Sequence, residues 1–202
     1  MEGYGMDIFE AIRSRRSIGL VSDEPVSKEL IDQILEAGTW APNHFRTEPW
    51  KFFVLTGNSR KRLGSTLAKI EEAQMDDPAS ETSQKKLSKI LDKPFRAPLI
   101  IAVAVEPSDN PKAILLEEYG AVYAAIQNML LAAHALGLGG FWRTGKPTYT
   151  PEMKQLFNLS DKGEILGFLY FGHLKRDVHE GKRRAVSEVT TWLTSEEDFD
   201  KL

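Results

Sequence analysis

One stretch limits the possible folds of this chain more than any other: Gly120 to Trp142, about 23 residues without a formal charge, is long enough on paper to cross a bilayer. Its detail argues otherwise. Gln127, Asn128 and His134 interrupt it, and Gly137, Gly139 and Gly140 close it. A helix that is apolar all round belongs in a core or against a partner. The spacing therefore predicts a buried helix from about Ile114 to Leu136, central either to a soluble domain or to a dimer interface, and no membrane association.

The 202 residues, at 22.7 kDa, are enough for one well-buried domain, read as residues 1–202 with Met1 to Gly5 as an extension and 194–202 as a polar tail. A net charge of -3 argues against a general nucleic-acid binder. The absence of cysteine removes disulfides, thiolate metal sites and cysteine nucleophiles. The histidines, His44, His134, His173 and His179, lack metal-ligand spacing, so no metal is expected. No apolar leader opens MEGYGMDIFEAIRSRR, and the cytoplasm is the expected location.

Periodicity predicts a first helix over Met6–Arg15. A second starts at the N-cap Ser27, with Val26 and Ile31 as a hydrophobic staple, and stops at Gly38. Trp50–Thr56, rich in aromatic and branched residues between Pro49 and Gly57, reads as a strand. A charged amphipathic helix follows over Asn58–Met75, then a short basic helix ending at Leu91. Leu99–Val105 (LIIAVAV) is a continuous apolar run, predicted to be an inner strand buried on both faces. After the long helix come a short strand at Phe141–Arg143, a helix capped by Thr150 and Pro151, and a strand at Ile165–Phe171. The fold class is α+β with about four strands. The C-terminal stretch, with Val186, Val189, Trp192 and Leu193 as its apolar residues, is expected to lie on another surface, such as a partner chain.

Among familiar chemistries, Gly137-Leu138-Gly139-Gly140 follows a helix rather than a strand, the reverse of a dinucleotide loop, and is read as a helix C-cap with glycines at positive φ. No G-x-S-x-G elbow is present. Two basic clusters remain, Arg15-Arg16-Ser17 and Lys182-Arg183-Arg184. Taken alone, each reads as a solvated face, the usual place of a charge cluster, rather than as an anion site. Brought together they would make a phosphomonoester site without a glycine loop. Between them in sequence lies Ala41 to Trp50, a polar and aromatic turn region suited to the edge of a planar heterocycle.

In order along the chain, DIFEAIRSRRSI, APNHFRTEPWKF, Gly137-Leu138-Gly139-Gly140-Phe141-Trp142-Arg143-Thr144-Gly145, Gly167-Phe168-Leu169-Tyr170-Phe171-Gly172 and Lys182-Arg183-Arg184 ahead of Glu188-Val189 resemble the nitroreductase family of FMN-dependent oxidoreductases, in particular its small members. The resemblance runs from Met6 to about Leu193. It implies a central mixed or antiparallel four-stranded sheet flanked by helices, and a homodimer in which the C-terminal segment is exchanged with the partner.

The resemblance also implies a flavin site drawing on both chains. Arg15, Arg16, Ser17, Lys182 and Arg184 would bind the FMN phosphate and ribityl region. His44, Arg46, Glu48, Trp142, Arg143 and Thr144 would lie around the isoalloxazine, with either Arg46 or Arg143 as the cation near its N1 and O2 edge. Gly19, Arg46 and Glu48 depart from the residues that many members carry at those places. The implied activity is ping-pong hydride transfer from NADH or NADPH through FMN to nitroaromatic, quinone or similar acceptors, with no protein side chain as acid or base. A non-catalytic FMN-binding or storage protein is the alternative on this fold, and an interaction domain without flavin the third reading.

Overall fold

The computed structural model of the chain describes residues 6–176 and 179–202. Strand β2 (Leu99–Val105) is the centre of the molecule, and all seven of its residues are fully buried. It pairs antiparallel with β1 (Trp50–Thr56) on one side and with β4 (Glu164–His173) on the other. Strand β3 (Leu138–Arg143) adds to β4, so the sheet runs β1-β2-β4-β3 and is antiparallel throughout. Both inner strands were legible as unbroken apolar runs, because a strand covered on two faces has no polar side to show.

Alternation along β2 sorts the core into two layers. Leu99, Ile101, Val103 and Val105 join the cluster of α2 (Lys28–Thr39) and α5 (Leu115–Ala135), whereas Ile100, Ala102 and Ala104 join Leu63 and Ile70 of α3 (Arg60–Glu72) and Met153 of α6 (Pro151–Leu156). Helix α4 (Glu81–Asp92) packs on α3. The short α1 (Ile8–Ser14) leans on α5. The sequence signals at the helix starts are realised: Ser27 Oγ accepts from Leu30 N at 3.3 Å, and Thr150 Oγ1 accepts from Met153 N at 3.4 Å. The charged segment after β1 begins as a 3-10 turn over Gly57–Ser59, and the helix proper starts at Arg60.

One glycine region departs from expectation. Only Gly137 closes α5 at positive φ (79°); Gly139 and Gly140 lie inside β3, which is therefore longer than Phe141–Arg143. Their lack of a side chain serves close approach instead: a Cβ on Gly139 would stand 2.9 Å from a methyl of Val21 and one on Gly140 2.9 Å from the Phe171 ring. In β4 the register against β2 slips between Val103 and Ala104, so Leu166 is an extra residue, and the alternation of inward side chains changes phase there.

At the α3–α4 crossing, a Cβ on Gly64 would stand 2.5 Å from the Leu91 carbonyl oxygen. Gly64→Ala forces the helices apart and is expected to cost about 1–3 kcal/mol, more than the helix propensity it gains. A lower urea midpoint at an unchanged m-value checks this.

Candidate functional site

Helix α1 starts with Asp7, whose carboxylate accepts from Phe9 N at 3.2 Å, and ends at Arg15. Ser14 ties its end to α5: Ser14 Oγ donates to Glu10 O at 2.7 Å and lies 2.7 Å from His134 Nε2. A hydroxyl has one proton, here given to Glu10, so His134 must donate through Nε2–H. Burial, then the positive charges of Arg15 and Arg16, hold the His134 pKa below its ordinary value.

Arg15 and Arg16 are both partly buried. Burial lowers the Arg15 pKa, followed by the charges of Arg16 and Arg183, so Arg183 of the C-terminal basic cluster is near enough to act on Arg15. Arg16 Nη1 donates to the carbonyls of Arg13 at 2.6 Å and Arg15 at 2.7 Å, which aims the guanidinium. Its Nε is buried and has no hydrogen-bond partner among the described residues, and Gly181 lies so close over the guanidinium that a Cβ there would collide with it. A cavity of about 460 Å³ opens here between α1 and the chain at Glu180 and Gly181, with Asp7, Glu10 and Arg13 also in its wall. Lys182 and Arg184 are exposed beside it in sequence. Ser17 is exposed and forms a backbone bridge with Gly140 of β3.

Strand β3 then carries the site about 13 Å further, the rise from Gly140 to Thr144. There Trp142, Thr144, Tyr123 of α5 and Tyr149 line an open cavity of about 540 Å³. Trp142 Nε1 donates to Leu166 O at 3.2 Å, and its ring centre is 5.8 Å from that of Tyr123. The indole occupies the place that a side chain at Gly167 would take, just beyond the phase change in β4. Arg143, the next residue, points to the other face of the sheet: its guanidinium lies over Phe141 at 4.8 Å and Tyr170 at 5.2 Å. Trp142 and Arg143 are thus adjacent in sequence but not in one cavity.

The third group lies elsewhere. His44, Arg46 and Glu48 are exposed on the loop that enters β1. Asn43 Oδ1 accepts from Glu48 N at 2.8 Å and braces the loop, in which Arg46 (φ 53°) and Glu48 (φ 47°) are left-handed. His44 stacks on Phe45 with ring centres 4.1 Å apart, and its Nδ1 lies 2.6 Å from Glu117 Oε2. Strands β1 and β3 are the two outer strands, three spacings or about 14 Å apart. One chain therefore assembles the arginine and Trp142 groups on one edge and leaves the His44 loop at the other.

Sequence reasoning missed Arg183, Glu117, Tyr123, Tyr149 and the Ser14–His134 contact. Arg183 was in view as the middle of Lys182-Arg183-Arg184, but only the fold shows that it is the member whose charge reaches Arg15. The others had no signal of their own.

Residues 12–173 match the Nitroreductase family. The Escherichia coli (strain K12) protein "Putative NAD(P)H nitroreductase YdjA" is 35% identical over 167 residues, 83% of this chain and 88% of that protein. Among solved structures, a nitroreductase-like family protein from Bacillus cereus is 30% identical, with a TM-score of 0.78 over 94% of this chain and 97% of its own. A "putative nitroreductase in complex with fmn" from Desulfovibrio desulfuricans is also 30% identical, with a TM-score of 0.66 over 93% and 95%.

His134 gives a pH test of the arginine corner. Its folded pKa lies below the 6.5 of an unhindered histidine, so the unfolded chain binds this proton first as pH falls. Stability is therefore retained above 6.5 and lost as pH drops through that value toward the lower, folded one. His134→Gln keeps a donor near the position of Nε2 without titrating. Urea midpoints measured from pH 8 to 5 are expected to fall less for this variant than for the parent chain.

Proposed function

The chain belongs to the nitroreductase family, and on that premise we propose that it is an FMN-dependent NAD(P)H oxidoreductase working as a homodimer. The observation that carries the reading is the buried Arg16 Nε, which has no partner among the described residues, in a corner where the charges of Arg15, Arg16 and Arg183 act on one another beside the carboxylates of Asp7, Glu10 and Glu180. An unpaired buried donor is costly, and a phosphate oxygen is the acceptor such a corner fits. The FMN complex of the Desulfovibrio desulfuricans relative supports the choice of anion.

Bound FMN would supply hydride acceptance from NADH or NADPH and hydride delivery to nitroaromatic, quinone or similar acceptors. The chain's own residues bind and orient. Arg15, Arg16 and Ser17, with Lys182 and Arg184 from the tail, hold the phosphate and ribityl end, and Arg183 adds its charge to Arg15. Trp142 and Thr144 flank the ring in the cavity shared with Tyr123 and Tyr149. His44, Arg46 and Glu48 reach the ring from a second copy, because within one chain they stand at the far edge of the sheet. Arg46 is the better candidate for the cation at the N1 and O2 edge, since Arg143 is engaged by Phe141 and Tyr170. No side chain is assigned a proton-transfer step.

The dimer reading has its own support. Helix α5 leaves Leu116 (80% exposed), Gly120 and Tyr123 uncovered, and the tail leaves Trp192 (82%) and Val186 (76%) uncovered. Apolar residues left open in this way support the reading of an interface there. Sedimentation at micromolar concentration is expected to show twice the 22.7 kDa chain mass, and a compact monomer would overturn the assembly.

Arg16→Ala tests the flavin reading. Losing charge-assisted bonds of about 1.5–3 kcal/mol should weaken FMN binding by about one to two decades. Riboflavin, lacking the phosphate, should bind weakly and ignore the change, and Lys61→Ala on α3 should alter neither. Flavin fluorescence titrations read all three. Equal losses for both flavins would give Arg16 a structural role. Tight FMN binding without NAD(P)H turnover would mean an FMN-binding or storage protein instead.

A further inference from the structure

We infer that Glu117 is a positioning residue for His44, fixing the imidazole with its proton on Nδ1 so that Nε2 is the atom presented outward to the flavin ring of the neighbouring protomer. The inference rests on the functional reading above and adds to it a residue on a different element, the first turn of α5.

The separation of His44 Nδ1 from Glu117 Oε2 is 2.6 Å. An ionised carboxylate can only accept, so Nδ1 carries a proton whether the imidazole is neutral or charged. Rotation of the ring is opposed on one face by Phe45, whose ring centre is 4.1 Å away. The loop beneath is itself fixed, because Asn43 bonds the Glu48 amide at 2.8 Å across two left-handed residues. Nε2 has no hydrogen-bond partner among the described residues.

A solvated pair with both side chains this open, 60% and 40% exposed, contributes little by itself. Its surroundings are not those of a solvated pair. Ile114, Leu115 and Leu116, in the same turn as Glu117, are all more than half exposed, and a second copy covering them would desolvate the contact and strengthen it. The isoalloxazine edge carries an imide N–H between two carbonyls. A neutral imidazole protonated at Nδ1 offers it an acceptor at Nε2; the opposite tautomer offers only a donor.

The test begins without flavin. In long-range 1H–15N spectra of the full chain, with His44 assigned by its loss in His44→Ala, neutral His44 is expected as the Nδ1–H tautomer. Glu117→Gln should keep it, because the amide oxygen accepts the same bond, and Glu117→Ala should lose it. FMN titrations follow on the same proteins. Glu117→Ala and His44→Ala should each weaken binding about tenfold, the double variant no more than His44→Ala alone, and Glu117→Gln should stay within about twofold. Sedimentation of Glu117→Ala should match the parent, since a merely structural role would change assembly rather than the tautomer.

An Nε2–H tautomer in the parent chain, or no change in Glu117→Ala, overturns the inference. So does normal FMN affinity in Glu117→Ala beside a loss in His44→Ala. FMN binding indifferent to His44→Ala overturns the role of Nε2 and leaves the flavin reading standing. A parent chain that binds no FMN overturns the flavin reading and this role with it.

Discussion

The structure depends on a helix with no polar side. Over the 21 residues of α5, the sheet and α2 take one face, where Val122, Ala125, Ile126, Met129 and Ala133 lose all contact with solvent. The fit is tight enough that a Cβ on Gly38 of α2 would stand 2.9 Å from Met129. The opposite face has no such cover, and hydrophobic burial is proportional to area. Three contacts are strung along this helix: Glu117 with His44 at its start, Tyr123 with Trp142 in the middle and His134 with Ser14 near its end. They span about 26 Å of helix. The need to bury one helix thus places these three contacts beside a surface that one chain does not cover.

What could be read in advance was what depends on neighbours in sequence. The bounds of β1 and β2 follow from branched and aromatic runs between prolines and glycines, and helix starts at Ser27 and Thr150 follow from local capping. Gly139 and Gly140 were misread because a glycine required by close approach looks the same in sequence as one required by positive φ. The phase change at Leu166 was invisible for a similar reason: the apolar run ILGFLYF continues smoothly through it, and only pairing with β2 exposes the extra residue. Of the site, the residue types were legible and their grouping was not. Trp142 and Arg143 look like one unit until the strand sends them to opposite faces, and His44 looks close to Trp142 only while the order of the strands is unknown.

Helix α1 carries the arginine corner on slender support. Ala11 is its one buried residue, while Ile8, Phe9 and Ile12 are more than half exposed. Its anchors are the Ser14–His134 contact and the backbone bridges just beyond it. Segments held by so few contacts open at the low end of the free-energy scale. On the dimer reading, anything that covers Ile8, Phe9 and Ile12 stabilises the same turn that presents Arg15 and Arg16, and anything held by those arginines stabilises it in return. Mass action then makes cofactor retention a property of protein concentration: dilution that separates the subunits loosens the grip on the phosphate, and loading with cofactor holds the subunits together.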